Sequence, residues 1–197
     1  MRLKRQKGEK MSRVKKACAA AAIVAAYFAP SMRQGADGPR EISQEGLSRI
    51  VNEEGCMYCS YQDSTGVWTE GVGATRGVDG RRVKQGDALT DHEVALLFRR
   101  DIKSAEQCVS DTMNGWDMPQ TVYDSMVDIV FNVGCEGVSY NRKRKANTSI
   151  YLLANQGEWL GVCGHMTDFV WAGGKRSAGL EHRRTDQKAY CLSYTSQ

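Results

Sequence analysis

Three side chains in the stretch 54–73 have the types and spacing to break a glycosidic bond. Glu54 is followed after eight residues by Asp63 and after five more by Thr69, and Glu70-Gly71-Val72-Gly73 closes the stretch. Two carboxylates facing each other across a cleft serve glycoside hydrolysis: one protonates the leaving oxygen while the other manages water or positive charge. Taken singly, each residue has a plainer reading. Glu54 could be a solvated helix-ending acid, Asp63 a turn residue in Asp63-Ser64-Thr65-Gly66, and Thr69 an ordinary strand threonine. The spacing of all three together carries the catalytic reading. Glu53 is the neighbouring control, because one helical step turns it to another face.

The surrounding pattern supplies elements to hold such a group. Ile42, Leu47, Ile50 and Val51 recur at helical spacing, which predicts a helix over roughly 43–54 that ends at Gly55. Residues 57–75 alternate loosely and carry Gly66, Gly71 and Gly73, as a small β-hairpin does. Thr90-Asp91-His92-Glu93 reads as a capping box, with Leu89 and Val94 as its hydrophobic staple. Val94, Leu97, Phe98, Ile102, Ala105 and Val109 then form one apolar helical face. A second helix should start at Pro119 and run through Val122, Met126, Ile129 and Val130 to Gly134. Further helices are expected near 148–154, 158–168 and 179–192. The fold class is α+β: a small β-hairpin lobe, a larger helical lobe and a cleft between them, preceded by an N-terminal apolar helix.

The Glu54, Asp63, Thr69 motif resembles that of the phage-type lysozymes (glycoside hydrolase family 24). Phe131-Asn132-Val133-Gly134-Cys135, Trp171-Ala172-Gly173-Gly174-Lys175 and Gly179-Leu180-Glu181-His182-Arg183-Arg184 resemble recurrent stretches of the same family, so the similarity spans roughly 43–192. The resemblance implies a lysozyme-like fold and an inverting hydrolysis of the β-1,4 bond between N-acetylmuramic acid and N-acetylglucosamine. Glu54 would be the general acid, with partial burial among apolar neighbours keeping it protonated. Asp63 and Thr69 would manage water on the opposite face. Two positions depart from the family pattern: Ala74 where many relatives have His, and Gln187 where many have Glu.

Charge divides the chain. Residues 1–33 hold nine Lys/Arg against one acid, whereas 34–197 hold eighteen against twenty-two. An acidic folded part argues against nucleic acid as a partner. The basic flank leads into the apolar run 17–29, as in an export signal. Thirteen mostly Ala residues fall short of the roughly 20 that span a bilayer stably, and Tyr27, Phe28 and Pro30 leave no good cleavage site. The segment is similar to the signal-anchor-release segment of some phage endolysins: held in the inner membrane, then released to the periplasm. A cleaved signal, a plain surface helix, and a true start at Met11 remain the alternatives. The expected organisation is a flank and anchor over 1–30, a linker over 31–41 and a catalytic domain over 42–197.

Seven cysteines, Cys18, Cys56, Cys59, Cys108, Cys135, Cys163 and Cys191, fit an exported protein with two or more disulfides. Spacing does not assign the pairs. Relatives with Cys in place of Asp in the motif use thiol exchange with the anchor segment to control activity. Asp63 fills that position here, but Cys18 in the anchor and Cys56 and Cys59 beside Glu54 suggest an exchange that reshapes the cleft. The simpler alternative is control by the tether alone.

The expected partners are peptidoglycan glycan strands and, through the N-terminal segment, the inner membrane; the protein is expected to be a monomer. Tyr58, Tyr61 and Trp68 would flank sugar subsites or pack the small lobe. Arg142-Lys143-Arg144-Lys145 would form a solvated loop or attract anionic wall polymers. His92 and His165 lack ligand spacing, so neither a metal site nor a cofactor is expected. Two rivals remain: a lytic transglycosylase, which needs the acid but not a water-managing Asp and Thr, and a catalytically silent, membrane-tethered wall-binding module.

Overall fold

The computed structural model describes residues 17–29, 40–63 and 66–196. The basic flank and most of the expected linker lie outside these residues. In chain order the helices are α1 (Ala20–Tyr27), α2 (Gln44–Glu54), α3 (Asp91–Thr112), α4 (Gln120–Val133), α5 (Cys135–Ser139), α6 (Ser149–Gln156), α7 (Trp159–Gly164) and α8 (Ala178–Leu192). The strands are β1 (Met57–Gln62), β2 (Trp68–Gly71), β3 (Tyr140–Asn141), β4 (Ala146–Asn147), β5 (Trp171–Ala172) and β6 (Lys175–Arg176), paired as three antiparallel hairpins. The architecture is mixed α+β. The two short hairpins of the helical part, β3–β4 and β5–β6, were not expected from the sequence, because two-residue strands leave no alternation to read.

The local signals place the long elements well. Ser43 caps α2 by accepting from the Gly46 amide, and Gly55 ends it at φ 72°, a conformation glycine adopts without strain. Both halves of the Thr90–Glu93 capping box form at the start of α3. Pro119 precedes α4, and Gly134 ends it. The expected helix over 158–168 is α7 followed by a 3-10 turn at His165–Asp168.

The core runs between α2, α3, α4 and α8. Leu47, Ile50, Phe98, Ile102, Met126 and Ile129 are buried in it. Gly46 lets α2 approach α4: a Cβ there would sit 2.6 Å from the Asp124 side chain. Asp124 cannot yield easily, since it accepts from the Ser43 amide, Gln120 and Tyr190.

α1 also belongs to this core. Ile23, Val24 and Tyr27 are buried, and the Tyr27 ring meets Phe98 edge-on at 6.1 Å. Burial of three such side chains contributes roughly 5 kcal/mol. Arg99 on α3 donates to the Tyr27 carbonyl at the end of α1, stacks on the Tyr27 ring and pairs with Glu41. At the other end Cys18 is bonded to Cys56, and the Cys18 amide donates to the Cys56 carbonyl. Among the described residues no helix is long and apolar enough to cross a membrane.

Two further disulfides, Cys108–Cys135 and Cys163–Cys191, tie α3 to α5 and α7 to α8. Cys59, on β1, keeps a free thiol.

Candidate active site

Glu54 is the last residue of α2, turned to its place by the positive-φ glycine that follows. Its carboxyl borders a cavity of about 410 Å³. Val72 and Gly73 wall the cavity on the hairpin side, Asp101 and Ser104 of α3 and Asn132 of α4 on the other. Cys135, fixed by its bond to Cys108, lines the same space.

Glu54 shares the cavity wall with the apolar Val72, Val130 and Phe131, and it also meets polar partners. Its Oε1 stands 2.7 Å from Arg183 Nη1, and Asn132 Nδ2 lies 3.5 Å away. The other arm of Arg183 donates to Asp128 Oδ1 at 2.7 Å. The Arg183 side chain is 8% exposed and that of Glu54 23%, so the ion pair is largely shielded from solvent. Burial works against the charge on Arg183, but Asp128 and Glu54 outweigh it and push its pKa up. Arg184, next in the chain, is fully buried and donates to Asn132 Oδ1, Gln187 Oε1 and the Phe169 carbonyl. Its pKa is lowered to about 10, chiefly by burial.

Asp63 and Thr69 lie on the β1–β2 hairpin. Asp63 caps the turn by accepting from the Val67 amide at 2.9 Å. It therefore holds the turn as well as being a candidate for chemistry. Thr69 is buried, pairs with Tyr61 across the hairpin, and its hydroxyl donates to the Val67 carbonyl at 3.2 Å. Tyr61 links the two halves of the motif: its hydroxyl pKa is pushed up by burial, then by the carboxylates of Glu54 and Asp63. Tyr58 instead donates to Asp91, at the start of α3.

Ala74, one of the two departures from the family pattern, is buried and exchanges backbone hydrogen bonds with Glu70. The hairpin closes there through these two backbone bonds. Glu70 itself is buried with Oε2 unpartnered, and burial and the nearby Asp87, Glu93 and Asp79 push its pKa up.

The family described as phage lysozyme matches residues 51–187, a stretch that holds every residue of this site. The chain belongs to the phage lysozyme family. A SAR-endolysin of Haemophilus phage HP1 (strain HP1c1) is 39% identical over 179 residues, covering 89% of this chain and 94% of that protein. A SAR-endolysin of Escherichia phage P1 is 35% identical, covering 80% and 84%. Among solved structures, the active form of the P1 phage endolysin Lyz superposes with TM-score 0.79 at 32% identity, covering 91% of this chain and 96% of that one. A P22 lysozyme variant superposes with TM-score 0.67 at 28% identity, covering 78% and 99%.

In this phage lysozyme the sequence motif marks Glu54, Asp63 and Thr69 but not the side chains that hold Glu54. Asn132, Arg183 and Arg184 fall within the stretches shared with the family, where their residue types gave no role. Asp128 carried a readable signal: with Asp124 it places two carboxylates four residues apart on a helix whose other faces are apolar. A buried acid at such a position needs a cation, and Arg183 supplies it.

Proposed function

We propose that the protein is an endolysin that hydrolyses the β-1,4 bonds between N-acetylmuramic acid and N-acetylglucosamine in peptidoglycan and so lyses the host cell. The observation that carries this reading is Glu54 at the end of α2, on a cavity bounded by the hairpin and by α3 and α4. A carboxylic acid in that position can protonate the leaving oxygen of a glycan strand lying between the lobes. Asp63 and Thr69 supply the water-managing side, giving an inverting reaction. Membership of the phage lysozyme family over residues 51–187 supports the reaction class.

The N-terminal segment tethers the exported chain to the inner membrane and is then released, with α1 docked on α3 as the released arrangement. The names of the HP1 and P1 relatives support this reading. The cysteines fit an exchange. The Cys18 thiolate attacks Cys56 in a Cys56–Cys59 disulfide; the Cys18–Cys56 bond forms and Cys59 leaves as thiolate, with no external oxidant. A Cys56–Cys59 bond would forbid the present β1. Three extended residues span roughly 10 Å, whereas disulfide-bonded Cα atoms lie within about 7 Å. Exchange therefore lets the hairpin carrying Asp63 and Thr69 form.

The test is the full exported chain on purified peptidoglycan, with Glu54→Gln beside it and the glycan ends read by mass. Reducing ends that vanish in Glu54→Gln are expected. Anhydro ends would identify a transglycosylase, and intact strands with the wild type a wall-binding module.

A further inference from the structure

Arg183 stands between two carboxylates. One Nη is 2.7 Å from Glu54 Oε1 and the other 2.7 Å from Asp128 Oδ1. The arrangement matters because Glu54, as the acid of the function proposed above, must carry a proton when the substrate arrives. A guanidinium at hydrogen-bond distance favours the charged form of a carboxylate, and a charged Glu54 has nothing to donate. An arginine paired with Glu54 alone would fix its position at the expense of its chemistry.

We propose that Asp128 is a positioning residue for Glu54 that acts through Arg183. Its negative charge offsets the guanidinium, so that Arg183 orients Glu54 without presenting it with an uncompensated positive charge. The geometry suits the task. Asp128 lies on α4, is bonded to the Nη of Arg183 that Glu54 does not use, and is buried. Burial pushes its own carboxyl pKa up, against the pull of Arg183. A buried ion pair of this kind gives little stability beyond what its desolvation costs, so its value lies in what it does to the third partner.

The other groups facing Glu54 do not supply this charge. Glu53 is its neighbour on α2, and Asp101 of α3 stands across the cavity. Tyr61 on β1 and Asp63 in the turn after it lie on the hairpin side. From α4 comes Asn132, a neutral donor, and from α8 Arg184, whose three bonds go to neutral acceptors. Among the described residues the carboxylates that form ion pairs with Arg183 are Glu54 and Asp128.

The test is the pH dependence of peptidoglycan cleavage by the full disulfide-bonded chain. Asp128→Asn keeps an acceptor for Arg183 and removes the charge. The high-pH limb, where the acid loses its proton, should move down by about one pH unit. Asp124→Asn removes another buried carboxylate, one turn earlier, that is bonded to Ser43, Gln120 and Tyr190 instead; its limb should stay in place. Asp128→Ser serves as a second neutral variant, and Asp128→Glu, which retains the charge, should restore the wild-type limb. If Asp128 only braces the fold, the neutral variants lose melting temperature and rate with the limb unmoved, and the proposal is overturned. Residual cleavage by Glu54→Gln would instead defeat the acid assignment on which it rests.

Discussion

Arg184 donates from Nη1 to Gln187 Oε1 over 2.6 Å, one turn along α8, and among the described residues no carboxylate forms an ion pair with this fully buried guanidinium. Gln187 also donates from Nε2 to the Ser125 carbonyl at 2.7 Å, so the amide joins α8 to α4.

Gln187→Leu should therefore destabilise the protein by about 2–3 kcal/mol, because it strips an acceptor from a buried charged donor. Gln187→Glu gains a counter-charge for Arg184 and loses the donor to Ser125. These effects oppose each other, and the variant should fall within about 1 kcal/mol of the parent. Denaturant titration of the three proteins checks the order; Leu as well tolerated as Glu would show that the amide contributes nothing there.

Glu106 makes stability depend on pH. It is buried on α3, accepts from the Ile42 amide at 2.7 Å through Oε1, and leaves Oε2 without a partner. Burial pushes its pKa up from 4.5 to about 7. A carboxyl group raised in the folded state favours folding when protonated. The stability it contributes is complete below its unfolded value near 4.5 and is lost as pH rises through 7. Glu106→Gln, which imitates the protonated form, should abolish that slope and melt higher than the parent at pH 8, by the equivalent of about 1–2 kcal/mol. Parallel melting curves from pH 4 to 8 would refute this account of Glu106. The Tyr27 hydroxyl of α1 is also pushed up, by burial and then by Glu106, so it stays neutral where α1 docks.

The Cys18–Cys56 bond separates two reasons why α1 could matter. If exchange frees β1 from a Cys56–Cys59 bond, Cys18→Ser should lower lytic activity at least about tenfold, and adding Cys59→Ser should restore most of it. If the disulfide serves only to hold α1 on α3, the double variant should be no better than the single one. Cys18→Ser that is released and lyses cells like the parent would rule out any switch at this cysteine. Thiol labelling of Cys59 before and after release gives a second readout, because only the exchanged protein exposes a free thiol there.

The sequence by itself determined the local elements and the outline of the site. Ser43 and Gly55 bracket α2, Thr90 and Glu93 start α3, and Gly134 ends α4, because caps and positive-φ glycines act over a few neighbouring residues. The spacing of Glu54, Asp63 and Thr69 could be read for the same reason, being set by one helix end and one hairpin. Only the tertiary structure decided what surrounds Glu54. Arg183 reaches it from α8, held in turn by Asp128 of α4, and nothing near Glu54 in the chain announces that a guanidinium will lie there alongside the apolar Val72 and Phe131. The same holds for the cysteine pairs, since spacing does not say which helices meet. It holds too for α1, whose apolar run suits lipid or a core equally well: burial removes its side chains from water in either case, and only the complementary surface of Phe98 and Arg99 on α3 selects the core.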